Sequence, residues 1–441
     1  MFGLLKQRRL FGDAFWALSG QLASAIALLA GTRILTELVS PDIYGQVALL
    51  NGFVALGVTL FSYPFICAGM RLVPECLNKS ERAALYAVVA GLTTRATALA
   101  IVLLVLGGFL YSYFAQSNSL LFMLAGLLLI VTVRRELGIQ LLIGERKQRG
   151  ASLWQTSDSI LRPLLAISLV WWGGQKPEWV LLGYILASLL ANTLWSLVLG
   201  SKAEKTRRPL IARNFRADVW AYALPLIPME LIFWVNGLGD RYVIGYLMTA
   251  VEVGLYAATY MIINEAFNRS AMVLLRIFQP VYFQACAQNQ AREGFRILWF
   301  WIGSVFALGV VGVSLLLLTK DWVAAFVLAK SYHSAVALMP AIAIGCALHA
   351  LGTVVSQPLL AKKQTRLLLL GRVCGAITAA ISIPLMVKNY GLVGAALANP
   401  IYFGVEALVL ATLAKPWRAI ATDEADQAAS RGLKLSASYK T

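Results

Sequence analysis

Eleven charged residues of this 441-residue chain are candidates for burial within its long apolar runs: Arg33, Arg95, Arg162, Arg241, Arg269 and Arg276, against Asp158, Glu230, Asp240, Glu265 and Glu406. A charge at the centre of a bilayer costs at least about 2.5–3.5 kcal/mol, so each of them needs a partner or a water-filled cavity. An arginine guanidinium offers phosphate a planar fork of donors, so an arginine without a local acid is a candidate ligand for an anion. Glu265, Arg269, Met272 and Arg276 recur at i, i+4, i+7 and i+11, which puts them on one face of a helix. Glu265 and Arg269 are at pairing distance, and an internal salt bridge is the plain reading of them. Arg276 has no acid within one turn. Arg95, in Thr93-Thr94-Arg95-Ala96-Thr97, lacks one too, and its structural alternative is a partner across helices, Glu230 or Asp158. Asp158 stands four residues before Arg162, so those two are expected to pair. Arg71 closes an apolar run, where an anionic headgroup would first arrive. Pro225 and Pro228 share one run with Glu230, Asp240 and Arg241. Two prolines in one helix remove backbone hydrogen bonds and permit bending, which suits a moving gate.

The elements that must position these groups are apolar helices. The chain is 59% hydrophobic and 13% charged, with a mean hydropathy of +0.72. Soluble domains are about 45–50% apolar and about 25% charged, so a soluble enzyme, a disordered chain and a disulfide scaffold are excluded. Long apolar stretches fall at 13–34, 44–70, 84–112, 119–143, 151–172, 178–200, 217–247, 253–284, 297–318, 334–360, 367–387 and 391–414. Each approaches or exceeds the roughly 20 residues that span a bilayer. The expectation is an all-α polytopic membrane protein of twelve transmembrane helices.

The net charge of +17 would suit nucleic acid in a soluble chain. Its distribution gives another cause. With the N-terminus placed in the cytoplasm, 28 Lys and Arg flank the cytoplasmic side and four the other. That asymmetry orients the chain with both termini cytoplasmic, and no nucleic-acid partner is expected. The five cysteines form no disulfide framework, and His333 and His349 lack metal-ligating company.

The chain also repeats itself at an offset near 210. Arg33-Ile34-Leu35 before Tyr44-Gly45 corresponds to Arg241-Tyr242-Val243 before Gly254-Leu255-Tyr256. Gln140-Leu141-Leu142 corresponds to Gln357-Pro358-Leu359, and Ala191-Asn192 to Ala398-Asn399. Parallel repeats of six helices are a transporter architecture with the substrate site at the repeat interface. The expected organisation is an N-terminal lobe over 1–200, a basic linker over 201–216, a C-terminal lobe over 217–414 and a cytoplasmic tail over 415–441.

Arg33 followed by Leu38-Val39-Ser40-Pro41-Asp42-Ile43-Tyr44-Gly45 resembles the opening of the Wzx-type polysaccharide flippases of the MOP superfamily. Pro225, Asp240-Arg241-Tyr242-Val243-Ile244, Val253-Gly254-Leu255-Tyr256, Leu328-Ala329-Lys330-Ser331-Tyr332 and Gly391-Leu392-Val393-Gly394-Ala395-Ala396 fit the same pattern. The resemblance spans nearly the whole chain. It implies a bacterial inner-membrane flippase with two six-helix lobes around a central cavity. The implied cargo is an undecaprenyl-diphosphate-linked oligosaccharide for O-antigen, exopolysaccharide or capsule. Membrane lipids would surround it, and a polysaccharide polymerase and a chain-length regulator would be its partners. Arg276, Arg269, Arg95, Arg71 and Arg33 are then the candidate cavity residues. Pro225, Pro228, Glu230, Asp240, Arg241 and Glu265 are the candidates for gating or coupling.

Paired carboxylates, a nucleophile elbow, a Walker A motif and a metal cluster are all missing from the sequence, so no enzyme activity, catalytic residue or cofactor is expected. Coupling to protons or sodium stays open through Glu230, Asp240, Glu265 and Glu406. The alternative function is a MATE-like cation-coupled exporter of small amphiphiles, whose cavity would be acidic or apolar rather than rich in arginine.

Overall fold

The computed structural model describes residues 2–115, 118–198, 214–288 and 290–417. Most of the expected linker 201–216 and of the tail 415–441 lies outside them. The described chain is helical nearly throughout. It runs as α1 (Phe2–Leu38), α2 (Pro41–Leu56), a π-helical turn (Gly57–Ser62), α3 (Tyr63–Leu72), α4 (Lys79–Ala115), α5 (Leu120–Gly144), α6 (Gln148–Gly173) and α7 (Pro177–Val198). It continues with α8 (Phe215–Ala223), α9 (Leu226–Leu247), α10 (Ala250–Ala287) and α11 (Ala291–Val327). A 3-10 turn (Lys330–Leu338) then leads to α12 (Met339–Val355), α13 (Gln357–Ala361) and α14 (Thr365–Ala414). The expected spans fall on helical segments but not one to one: 44–70 runs through α2, the π-helical turn and α3, 217–247 through α8 and α9, and 334–360 through the 3-10 turn, α12 and α13, while 367–387 and 391–414 share α14. Among the described residues, seven helical segments meet the length and hydropathy needed to cross a membrane. At 1.5 Å per residue the 37 residues of α4 run about 55 Å, well beyond a hydrocarbon core of about 30 Å.

Local chemistry sets the joints. Ser40 stands at the N-cap of α2 with Pro41 at the first helical position, where its missing N–H costs nothing. The Asn214 side chain caps α8 by accepting from the Ala217 amide. Gly174 turns the chain between α6 and α7 at φ +87°, and Gly391 reverses it inside α14 at φ +59°. Both lie in the left-handed region that a side chain disfavours.

Two compact units result. Of the described residues, those up to 258 together with 324–334 form one, and 259–323 together with those from 335 to 417 form the other. In the first, helices approach through small residues. A Cβ at Gly31 would lie 2.3 Å from Pro163 of α6, and one at Gly183 would lie 2.5 Å from the Ala166 backbone. Ile66, Leu128, Leu129 and Leu181 are fully buried among them. In the second unit, Gly345 and Gly352 of α12 lie against Asn399 and Ala407 of α14. Small residues at such contacts let backbones pack closely where lipid supplies no hydrophobic drive.

Candidate functional site

The helices sort the intramembrane charges into paired and unpaired. In the first unit α5, α6 and α7 build a buried network. Asp158 accepts from Arg135 and forms an ion pair with Arg162 (Nε 2.9 Å), and the Ser188 hydroxyl donates to its Oδ1 at 2.8 Å. Arg162 also reaches Ser188 at 3.0 Å, and Arg135 engages Glu136 at 2.6 Å. The expected Asp158–Arg162 pair is present. Asp158 is therefore no partner for Arg95.

Two arginines counted as cytoplasmic flank are corrected by the structure. Arg135 is held inside helix packing by Asp158, 23 residues away. Arg372 is buried in the second unit, where it donates to Glu406. Glu406 is 1% exposed, and His349 Nδ1 lies 3.8 Å from its Oε1. Gly375 leaves the space this carboxylate fills, since a Cβ there would come within 2.7 Å of Glu406 Oε2. Sequence reading missed both residues because each stands near the end of an apolar run. The one signal was for Arg372, the lone carboxylate Glu406 that had to find a cation somewhere; Asp158 already had Arg162 one turn on and gave none for Arg135.

The remaining candidates separate as follows. Arg33 pairs with Glu37 one turn on, and Arg71 pairs with Glu75 at 2.8 Å at the exposed end of α3. Arg241 is buried, donating to the Gly237 carbonyl at 3.2 Å. Asp240 accepts from the Tyr256 hydroxyl at 2.5 Å and from the Arg241 amide at 2.8 Å. Glu265 and Arg269 pair as their spacing requires. Arg95 on α4 and Arg276 on α10 are exposed, and neither makes an ion pair or hydrogen bond with any described residue. Glu230 on α9 is half-buried and equally unpaired among the described residues. Eight candidates belong to the first unit, and Glu265, Arg269 and Arg276 to the second.

The helix carrying Glu230 is interrupted in its backbone hydrogen bonding, although Leu224 and Pro225 keep right-handed helical angles. Leu224 and Pro225 separate α8 from α9, and Pro228 stands in the first turn of α9. Proline at 225 removes the bond to the Ala221 carbonyl, and proline at 228 the bond to Leu224.

Outside the spans, at the turn from α5 to α6, burial raises the Glu145 carboxyl. The Lys147 ammonium, the Tyr86 hydroxyl and Arg82 outweigh it and hold the group below the usual carboxylate range. In the second unit a cavity of about 50 Å³ opens between α10, α12 and α14 beside Asn264, Asn268, His349 and Thr353, with room for a few waters.

A family model described as "Polysaccharide biosynthesis protein" matches residues 10–284, more than half of the sequence. The chain belongs to this polysaccharide biosynthesis protein family. No curated protein matches it. Among solved structures it resembles a multidrug resistance MATE family transporter of the MOP superfamily in an inward-facing conformation. The two share 14% identity and a TM-score of 0.73 over 93% of this chain and 99% of that one. It also resembles the lipid II flippase MurJ in an inward closed conformation, at 14% identity and a TM-score of 0.66 over 91% and 86%. A Vibrio cholerae MATE transporter aligns at 12% identity and a TM-score of 0.58 over 93% and 96%. At these identities the likeness is one of fold. The protein is a multi-pass membrane member of its family with the helical fold of MOP-superfamily transporters.

Proposed function

We propose that this protein is a flippase that moves an undecaprenyl-diphosphate-linked oligosaccharide from the cytoplasmic to the periplasmic leaflet of a bacterial inner membrane. The polysaccharide biosynthesis family supplies the pathway, and the transporter fold supports movement across the bilayer rather than chemistry on the sugar. The observation that carries the anionic cargo is the pairing pattern. Arg33, Arg71, Arg135, Arg162, Arg269 and Arg372 engage carboxylates, whereas Arg95 and Arg276 engage none among the described residues. A free guanidinium in a wet cavity replaces the water that a diphosphate must shed, and its fork of donors fits phosphate oxygens.

The test is complementation of polysaccharide export in a flippase-null strain. Arg276→Lys keeps the charge and loses the fork, and Arg276→Gln loses both. Export should fall in the order Arg, Lys, Gln at equal membrane abundance. Full export by abundant Arg276→Gln and Arg95→Gln proteins would remove the anionic cargo and favour export of small amphiphiles.

A further inference from the structure

Mid-way along α10 two carboxamides line the cavity of the second unit. Asn264 and Asn268 stand one turn apart, Asn264 half-buried and Asn268 exposed. Neither side chain makes a hydrogen bond with any described residue. Ala271 and Leu275 continue the same lining at i+7 and i+11 from Asn264, so one face of α10 carries all four. Asparagines within a membrane span ordinarily bond across helices. Among the described residues neither α12 nor α14 supplies that bond across the cavity.

The opposite wall is built in advance. α12 packs on α14 through Gly345 and Gly352, and the Phe403 ring of α14 lies 4.6 Å from that of His349. The Thr353 hydroxyl already donates to the His349 carbonyl at 3.0 Å. Ala350 and Val354 add apolar surface. Among the described residues no Lys, Arg, Asp or Glu lines the cavity, so it suits a neutral group. The two carboxamides ask for a donor and an acceptor, and the apolar end asks for carbon. Size narrows the choice further. An apolar cavity of about 150 Å³ admits benzene, so about 50 Å³ holds roughly two to four heavy atoms and not a sugar ring.

We propose that this cavity is a subsite for an acetamido group, carried by an N-acetylated sugar of the cargo. The acetamido carbonyl accepts from one asparagine carboxamide, its N–H donates to the oxygen of the other, and its methyl lies against Leu275, Ala350 and Val354. The amide pairs satisfy both sides. A hydroxyl in the same place leaves the apolar end uncovered, and a carboxylate or ammonium meets no counter-charge. The sugar ring stays outside the cavity mouth. Arg276 stands eight residues from Asn268, about 12 Å along α10. A diphosphate and the sugar joined to it cover that span, so the substituent belongs to one of the sugars nearest the diphosphate. The use of the site for cargo rests on the flippase reading, but binding of the acetamido group does not.

Full-length protein in nanodiscs tests the site with free sugars. Saturation-transfer NMR should show the acetyl methyl of N-acetyl-D-glucosamine as its most strongly saturated group. Half-saturation should need at least about tenfold less of this sugar than of D-glucose. N-Butanoyl-D-glucosamine, whose acyl chain is longer by two carbons, should lose that advantage because the cavity cannot hold it. Asn264→Leu and Asn268→Leu should each bring N-acetyl-D-glucosamine down to the level of D-glucose. The proposal is overturned if wild-type protein treats N-acetyl-D-glucosamine and D-glucose alike, or takes the butanoyl sugar equally well. Those measurements need no variant to fold. It is equally overturned if folded Asn264→Leu or Asn268→Leu protein keeps the preference. Because no lipid diphosphate is present, failure here leaves the Arg276 test standing. Failure of the Arg276 test likewise leaves the acetamido site standing.

Discussion

Gly45 of α2 and Gly254 of α10 fit into each other's helix as equivalent members of the two sequence halves. A Cβ on Gly45 would lie 1.8 Å from the Ala250 carbonyl oxygen, and one on Gly254 would lie 1.9 Å from that of Pro41. Pro41 and Ala250 are 209 residues apart, as are Gly45 and Gly254, so the contact is reciprocal. Flanking bonds fasten the same region. The Tyr242 hydroxyl donates to the Leu49 carbonyl at 2.8 Å, the Trp234 indole to Gly52 at 2.9 Å, and the Tyr332 hydroxyl to Val39 at 3.2 Å. Any side chain at either glycine meets backbone, which cannot step aside. Gly45→Ala and Gly254→Ala should therefore raise hydrogen exchange at the starts of α2 and α10 by about tenfold or more. Gly91→Ala, with nothing within 4 Å, should leave it unchanged. Equal exchange in all three variants would show that this contact does not hold the helices together.

Proline placement leads to a second prediction. Pro225 and Pro228 each deny the helix one backbone bond across the same break, so restoring only one leaves the other in place. The double variant Pro225→Ala/Pro228→Ala should join α8 to α9 and lower export at least severalfold with abundance kept, and the single variants should lose less. Wild-type export by the double variant would separate the break from transport.

Acid stability should report on Glu145. Its carboxyl is held below the usual range, against the raising effect of burial, by Lys147, Tyr86 and Arg82. A group whose folded pKa is depressed lends stability above its unfolded pKa of about 4.3 and loses it as pH falls through the folded value. Glu145→Gln should thus lower the unfolding temperature of the purified protein near neutrality. The gap to wild type should close as pH drops below about 4. A gap that persists unchanged into acid would exclude this linkage.

Much of the architecture was legible in the sequence because it rests on local rules. The apolar runs and the hydrogen bonds lost at Pro225 and Pro228 are each read from a few neighbouring residues. The Glu265–Arg269 and Asp158–Arg162 pairs follow from one helical turn. Arg135 and Arg372 were not legible as buried groups. Near the ends of apolar runs they look like the basic flanks that orient a membrane protein, and only the carboxylates across a helix interface, Asp158 and Glu406, reveal otherwise. The π-helical turn at Gly57–Ser62 was equally hidden, since composition does not separate it from α-helix.

The paired and unpaired arginines should fail in different ways when neutralised, which separates folding from function. Asp158 is 2% exposed and lies against both Arg135 and Arg162. Asp158→Asn leaves two cations competing for Glu136 and Ser188 in a place that water does not reach. Removing one partner of a buried pair typically costs about 3–5 kcal/mol, a large share of the roughly 5–15 kcal/mol that holds a domain folded. Glu406→Gln strands Arg372 in the same way. Both variants should show severalfold lower membrane abundance and a matching loss of export, with activity per molecule nearly kept. Arg276→Gln removes an exposed group without a partner among the described residues, a change usually worth within about 0.5 kcal/mol. Its abundance should hold while export per molecule falls. Quantitative immunoblotting of membranes beside the export assay reads both. If Arg276→Gln instead loses abundance and keeps activity per molecule, Arg276 is a structural residue and the anion must be bound elsewhere.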